Sequence, residues 1–99
     1  MSGIASTVNA AAADRADDLA DRADGLADRA EQRAANARRH AAQALAMAKL
    51  DAESGNFEAE RLHRQEADLH KRAATCQDEA ADQQRLRAAH LRRSIERAN

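Results

Sequence analysis

The chain has 99 residues but no proline, no tryptophan, no tyrosine and only one phenylalanine, Phe57. Without proline, nothing in the sequence forces a long helix to break. With one aromatic residue, the chain lacks the large rings that fill most cores and that stack on nucleobases. A single cysteine, Cys76, excludes an internal disulfide framework and fits a reducing compartment. A length of 99 residues allows one domain at most, and the composition gives it small side chains at its core.

Long hydrophobic runs and catalytic motifs are also missing. No apolar stretch approaches the ~20 residues that span a bilayer, and no signal peptide is evident, so we expect a cytoplasmic protein without membrane contacts. The sequence contains no glycine-rich phosphate loop, no nucleophile elbow and no Cys-x-x-Cys pair. We therefore expect no enzymatic activity and no catalytic residues. The net charge of −1 argues against binding of polyanions by the chain as a whole.

Alanine and charged residues dominate what is present. The 28 alanines and a charged fraction of 33% are typical of long helices. Fourteen arginines against two lysines favour a GC-rich genome, such as that of an actinobacterium or one of its phages. Residues 13–33 read ADRADDL, ADRADGL and ADRAEQR, and 34–47 continue as AANARRH and AAQALAM. Small apolar residues at the first and fourth places (a and d) of such a heptad predict the seam of a coiled coil.

The a and d positions of the first half are all alanine: 13, 16, 20, 23, 27, 30, 34, 37, 41, 44 and 48. We expect residues 1–6 to be flexible, a first helix over about 7–53, a hinge at 54–56 and a second helix over about 57–97. Ser6 or Thr7 can cap the first helix, Gly55 suits its C-terminal end, and Asn56 can cap the second.

The second helix offers a less regular pattern. We interpret its seam as Ala59, Leu62, Glu66, Leu69, Ala73, Cys76 and Ala80. The seam then slips by one residue and continues at 84, 88, 91, 95 and 98, a stutter that would locally unwind a supercoil. We also expect the densest packing at the hinge, where the larger apolar residues concentrate. They are Leu45, Met47, Leu50, Phe57, Leu62 and Leu69.

The short hinge predicts antiparallel helices, each residue facing the one whose number is about 110 minus its own. Charge supports this pairing. Residues 1–31 hold seven acids and three arginines, net −4, and would face 85–99, where five arginines and one glutamate give +4. Exposed ion pairs contribute under ~1 kcal/mol each, so this pattern selects orientation more than it stabilises.

The fold class we predict is all-α: a long antiparallel helical hairpin, an alanine-rich coiled coil, paired into a four-helix bundle. Conditional disorder is the alternative, because low hydropathy and few aromatics also mark disordered chains. An alanine seam buries little area, so we expect a homodimer or binding to another helical protein. The expected partner interface is the wider apolar stripe, formed by Leu19, Leu26, Leu45, Met47, Leu86 and Leu91.

A metal-binding bundle is a second hypothesis. His63, Glu66 and His70 are spaced to share one helical face, and Glu60-x-x-His63 resembles the Glu-x-x-His spacing of ferritin-like di-iron bundles. His40 is expected near His70. Imidazole with carboxylate suits zinc or iron, although helix 1 offers only alanine opposite Glu60.

Binding to a nucleic-acid backbone is a third hypothesis. The residues that could contact phosphate are Arg85, Arg87, Arg92, Arg93 and Arg97. Pairing with the acidic N-terminal half is the simpler explanation for these arginines. Cys76, at a seam position, is expected to be a packed and inert thiol.

Overall fold

The computed structural model describes residues 2–98, with side chains described for 7–97. Helix α1 is Ser2–Glu53 and helix α2 is Phe57–Ala98. The described residues contain no strand, which confirms the all-α helical hairpin. α1 begins before Ser6 and Thr7, the expected caps, and the segment from Ser2 to Ser6 contains no proline that would prevent a helix. The backbone of 2–6, expected to be flexible, belongs to α1, whereas Met1 lies outside the described residues.

The turn at 54–56 ends one helix and starts the next within three residues. Gly55 has a φ of 75°, the left-handed conformation that favours glycine. Its N–H donates to Ala52 O at 3.1 Å, and the Asn56 N–H donates to Asp51 O at 2.8 Å. These two bonds form a Schellman motif. The Asn56 side chain then accepts from the Ala59 N–H at 3.3 Å and caps α2.

The chain divides into two compact units. The terminal unit joins Met1–Arg29 with Ala80–Asn99, and the hinge unit is Ala30–Glu79. In the hinge unit, Ala41 and Ala44 of α1 pack on Ala67 of α2. In the terminal unit, Ala20 and Ala23 pack on Ala88. Within each unit the helices are antiparallel, with facing residue numbers close to the predicted relation.

The α1 seam lies where the heptads predict. Every a and d alanine from 13 to 48 is buried or half-buried, and the side chains between them are mostly exposed. All fully buried residues in the described part of the chain are alanines, and none is polar or charged. The core of each unit is therefore a contact between small side chains, which lets two helix backbones approach closely.

The α2 seam differs from the prediction by one residue. Alanine is buried at every seventh position, at 67, 74, 81 and 88. The positions between and beyond them are half-buried: Glu60, His63, His70, Gln77, Gln84, Leu91 and Ile95. This spacing alternates three and four residues from 60 to 95 without a stutter. The predicted stutter is wrong, because the later register already holds from the start of α2.

One other packing prediction is also wrong. The large apolar residues near the hinge do not form a dense core, since Leu50, Phe57 and Leu69 are all exposed. Leu91, assigned to the partner interface, instead packs against the cluster of Ala20, Ala23 and Ala88. The exposure of Leu50, Phe57 and Leu69 has a physical cause. The alanine surface of α1 accepts small residues at close range, so bulky residues lie beside the contact rather than in it.

Candidate interaction surface

Large apolar side chains lie almost entirely on the surface. The exposed set is Val8, Leu19, Leu26, Leu45, Met47, Leu50, Phe57, Leu62, Leu69 and Leu86. It includes five of the six residues expected at a partner interface, all but Leu91. Isolated exposed leucines are ordinary, but apolar residues grouped on one face mark an interaction site. Their positions around each helix therefore matter.

The predicted interface residues do not share one surface. Leu19, Leu26 and Met47 occupy the same heptad position of α1, the g position beside the seam. Leu45 occupies the e position on the other side, where it lines a groove of about 410 Å³ with Arg38 and Lys71. Leu86 lies at the f position of α2, on the side away from α1, and is 67% exposed. The interface prediction therefore combined residues from different faces.

In the terminal unit, Leu19 and Leu26 line a shallow groove between the helices. The groove measures about 200 Å³, and Gln84 and Arg87 of α2 complete its wall. The Oε1 atom of Gln84 is buried there and has no hydrogen-bond partner among the described residues. The groove is thus apolar along α1 and polar along α2.

In the hinge unit, α2 carries a second heptad stripe that does not face α1. Its members are Ala59, Leu62, Glu66, Leu69, Ala73 and Cys76, and we call them the outer stripe. They alternate three and four residues apart, as a seam does. All but the half-buried Ala59 are exposed. The sequence predicted these residues as the seam of α2. They do form a heptad stripe, but this stripe does not pack against α1.

Charged side chains connect the helices within each unit, beside the alanine seam. In the terminal unit, Asp24 lies 2.7 Å from Arg92 and 3.7 Å from Arg85. Asp28 pairs with Arg85 at 2.9 Å, and Asp21 with Arg92 at 3.1 Å. The hydrogen bond that the Arg92 guanidinium donates to Asp24 raises the pKa of Arg92 further above its already high ordinary value, so Arg92 stays charged. In the hinge unit, Arg38 pairs with Asp78.

These ion pairs bear on the five arginines considered for phosphate binding. Arg85 and Arg92 are engaged with aspartates, as the charge pattern predicts. Arg87 lines the terminal groove beside Leu26. Arg93 and Arg97 are exposed. The five therefore do not present one continuous basic surface, and phosphate binding stays a prediction.

The residues considered for metal binding are divided among separate partners. His63 Nδ1 lies 2.5 Å from Asp51 Oδ2, and Glu60 Oε2 lies 3.1 Å from an Arg64 nitrogen. The His40 and His70 rings stack with centroids 5.3 Å apart, and Glu66 Oε1 lies 3.7 Å from His70 Nε2. Among the described side chains, no three His, Cys, Asp or Glu residues are grouped so that they could hold a metal ion. Metal binding also stays a prediction.

Two further findings concern the chain as a whole. Neither α1 nor α2, over its described residues, has a segment long and apolar enough to cross a membrane. Comparison with protein-family models, with curated proteins and with solved structures found no match. Proposals about function therefore rest on the geometry of this chain alone.

Proposed function

We propose that this chain is a non-enzymatic assembly protein. It acts through coiled-coil self-association, in which two hairpins pair into a four-helix bundle, or through binding of another helical protein. One observation carries the proposal: among the described side chains, the buried ones are all alanines, while ten large apolar ones remain exposed. A chain whose bulky residues mostly avoid its own core has them available for another molecule.

The energetics of burial support association. Burying an apolar surface contributes roughly 25 cal/mol per Å², so one alanine methyl contributes little and a leucine several times more. The isolated hairpin gains only the smaller contribution. Contact with a second helical surface would remove leucine and methionine side chains from water and add the larger one. Because large side chains do not fill its core, a hairpin of this size depends on such a contact for much of its stability.

Sedimentation equilibrium of the untagged chain at about 1–100 µM tests the proposal. A self-associating hairpin sediments with twice the mass of the 10.7 kDa chain. A helical protein of single-chain mass at every concentration removes self-association. If affinity capture from the native host also recovers no helical partner, the proposed function fails as a whole.

A further inference from the structure

The outer stripe of the hinge unit has the features of a seam without a partner. Leu62 and Leu69 are 54% and 64% exposed, and the small residues Ala73 and Cys76 continue the three-four spacing after them. Such spacing matches the surface of another helix, because residues three and four apart form one ridge along a helix. Each member of the stripe directly precedes a residue of the seam that faces α1, so the stripe lies about 100° around α2 from that seam, and a helix could dock on it without displacing α1.

We propose that a second copy of this chain docks on the outer stripe, a proposal that rests on the proposed function. The two α2 helices are then antiparallel, and a two-fold axis passes beside Leu69. Two-fold symmetry then pairs each residue before 69 with the residue equally far after 69 in the second copy. Leu69 meets Leu69 of the second copy, and Leu62 meets Cys76. The largest side chains of the stripe are thereby buried against each other and against small neighbours.

Charge argues for a second copy in this orientation. Glu66 interrupts the apolar stripe, and Arg72 lies beside it on the exposed face of α2. Residues 66 and 72 are equally far from 69, so the two-fold axis brings Glu66 of each copy to Arg72 of the other, twice per dimer. A parallel dimer would instead place Glu66 against Glu66 within the seam, where like charges repel most strongly.

The ends of the stripe carry one unfavourable kind of contact, which the two-fold axis forms twice per dimer. Glu58 and Glu79 of the second copy lie at nearly equal distances from 69 and come close together at the solvent-exposed margin. Repulsion there is screened and weak compared with a like-charged pair inside the seam. This feature gives the arrangement a distinctive test, since Glu79→Lys converts the repulsion into attraction and should tighten the dimer.

Charge exchange between chains tests the proposal directly. Glu66→Arg and Arg72→Glu should each raise the dimer dissociation constant about tenfold, because each places two like-charged pairs at the contact. Mixed in equal amounts, the two variants should form a heterodimer as tight as the wild-type dimer. In that heterodimer the introduced arginine meets the introduced glutamate, and the remaining native Arg72 meets the remaining native Glu66. Native mass spectrometry separates the three species, and circular dichroism monitors helix content in each.

A matched pair of leucines provides the control. Leu69→Glu should weaken the dimer about a hundredfold or abolish it, whereas Leu86→Glu, equally exposed but outside the stripe, should leave the dissociation constant unchanged. A wild-type dimer that tolerates Leu69→Glu overturns the docking surface while leaving the proposed function intact. A wild-type monomer instead removes self-association itself, so the two failures are distinguishable.

Disulfide trapping reports the direction of the helices. Two Cys76 residues lie 14 positions apart along antiparallel helices, about 21 Å, which is far beyond disulfide reach. Mild oxidation should therefore leave the wild type unlinked and link a Leu69→Cys chain in a Cys76→Ser background. A wild-type chain that cross-links through Cys76 as readily as this variant indicates parallel helices and overturns the proposal.

Discussion

At the scale of single residues, alanine determines how the two helices meet. Ala34 is fully buried in the hinge unit, while Ala35, the next residue, is exposed. The two positions are adjacent in one helix, and their side chains point about 100° apart. The same substitution at both positions therefore separates the effect of packing from that of helix propensity. Only the inward position is constrained by the closeness of α2.

Ala34→Leu is expected to destabilise the fold by about 1–3 kcal/mol, because three added carbons push apart helices that pack through methyl groups. Ala35→Leu should change stability by less than about 0.5 kcal/mol. Urea unfolding followed by circular dichroism at one protein concentration measures both. Equal effects at the two positions would show that residue 34 does not face α2.

The glycines give a second matched pair. Gly55→Ala forces a side chain into a left-handed conformation and should cost about 1 kcal/mol or more of unfolding free energy. Gly25→Ala adds a methyl within α1 that meets nothing within 4 Å beyond its chain neighbours and the adjoining helix backbone, so it should stabilise by about 0.5–1 kcal/mol. Thermal unfolding of the two variants should therefore shift in opposite directions; shifts of the same sign contradict the assigned turn.

At the scale of the helices, charge fixes the pairing on one face. Asp24 contacts both Arg85 and Arg92, and Asp28 contacts Arg85. Neutralising a carboxylate that two guanidinium groups share removes more electrostatic attraction than neutralising a carboxylate that pairs with one. Since all four side chains are substantially exposed, the effects are small and sensitive to salt.

Asp24→Asn is expected to lower stability by up to about 1 kcal/mol at low salt, and Asp28→Asn by less. Both losses should fall toward zero at about 1 M salt, where the Debye length is ~3 Å. Denaturation at low and high salt provides the comparison. An effect of Asp24→Asn that persists at high salt would indicate that packing, not charge, accounts for it.

The two helices were not equally predictable from sequence. α1 has a single alanine stripe, so its buried face and its antiparallel pairing follow from the heptads and the charges. α2 has two stripes with three-four spacing, and hydrophobicity favours the wrong one because it contains Leu62 and Leu69. The decisive signal was size rather than hydrophobicity: alanine recurs unbroken at 67, 74, 81 and 88, where an alanine-faced partner needs a small residue.

The candidate surface was predictable in composition but not in position. The sequence predicted an interface of large apolar residues, most of which are exposed. That set nevertheless combined Leu45 and Leu86 with residues that lie on other faces. A one-residue change of register turns a helix by about 100°, so an error in the α2 seam moves every surface residue to a neighbouring face. Only the backbone geometry separates the buried seam from the outer stripe.

At the scale of the whole molecule, we expect the stability of the folded hairpin to depend on its association with a second copy. Alanine contacts hold each unit together, and the apolar side chains that could add most to stability lie outside them. If a second copy covers those side chains, folding and dimer formation are linked, and the population of folded chain depends on protein concentration. A self-sufficient hairpin has no such dependence.

The midpoint of thermal unfolding, followed by circular dichroism over about 1–100 µM protein, shows whether folding and dimer formation are linked. We expect a midpoint that rises steadily with concentration, because mass action favours the folded dimer over two unfolded chains. Leu69→Glu should flatten the dependence, and Leu86→Glu should preserve it. A wild-type midpoint that stays constant over the whole range, with full helix content at the lowest concentration, would show that the hairpin folds without a second copy.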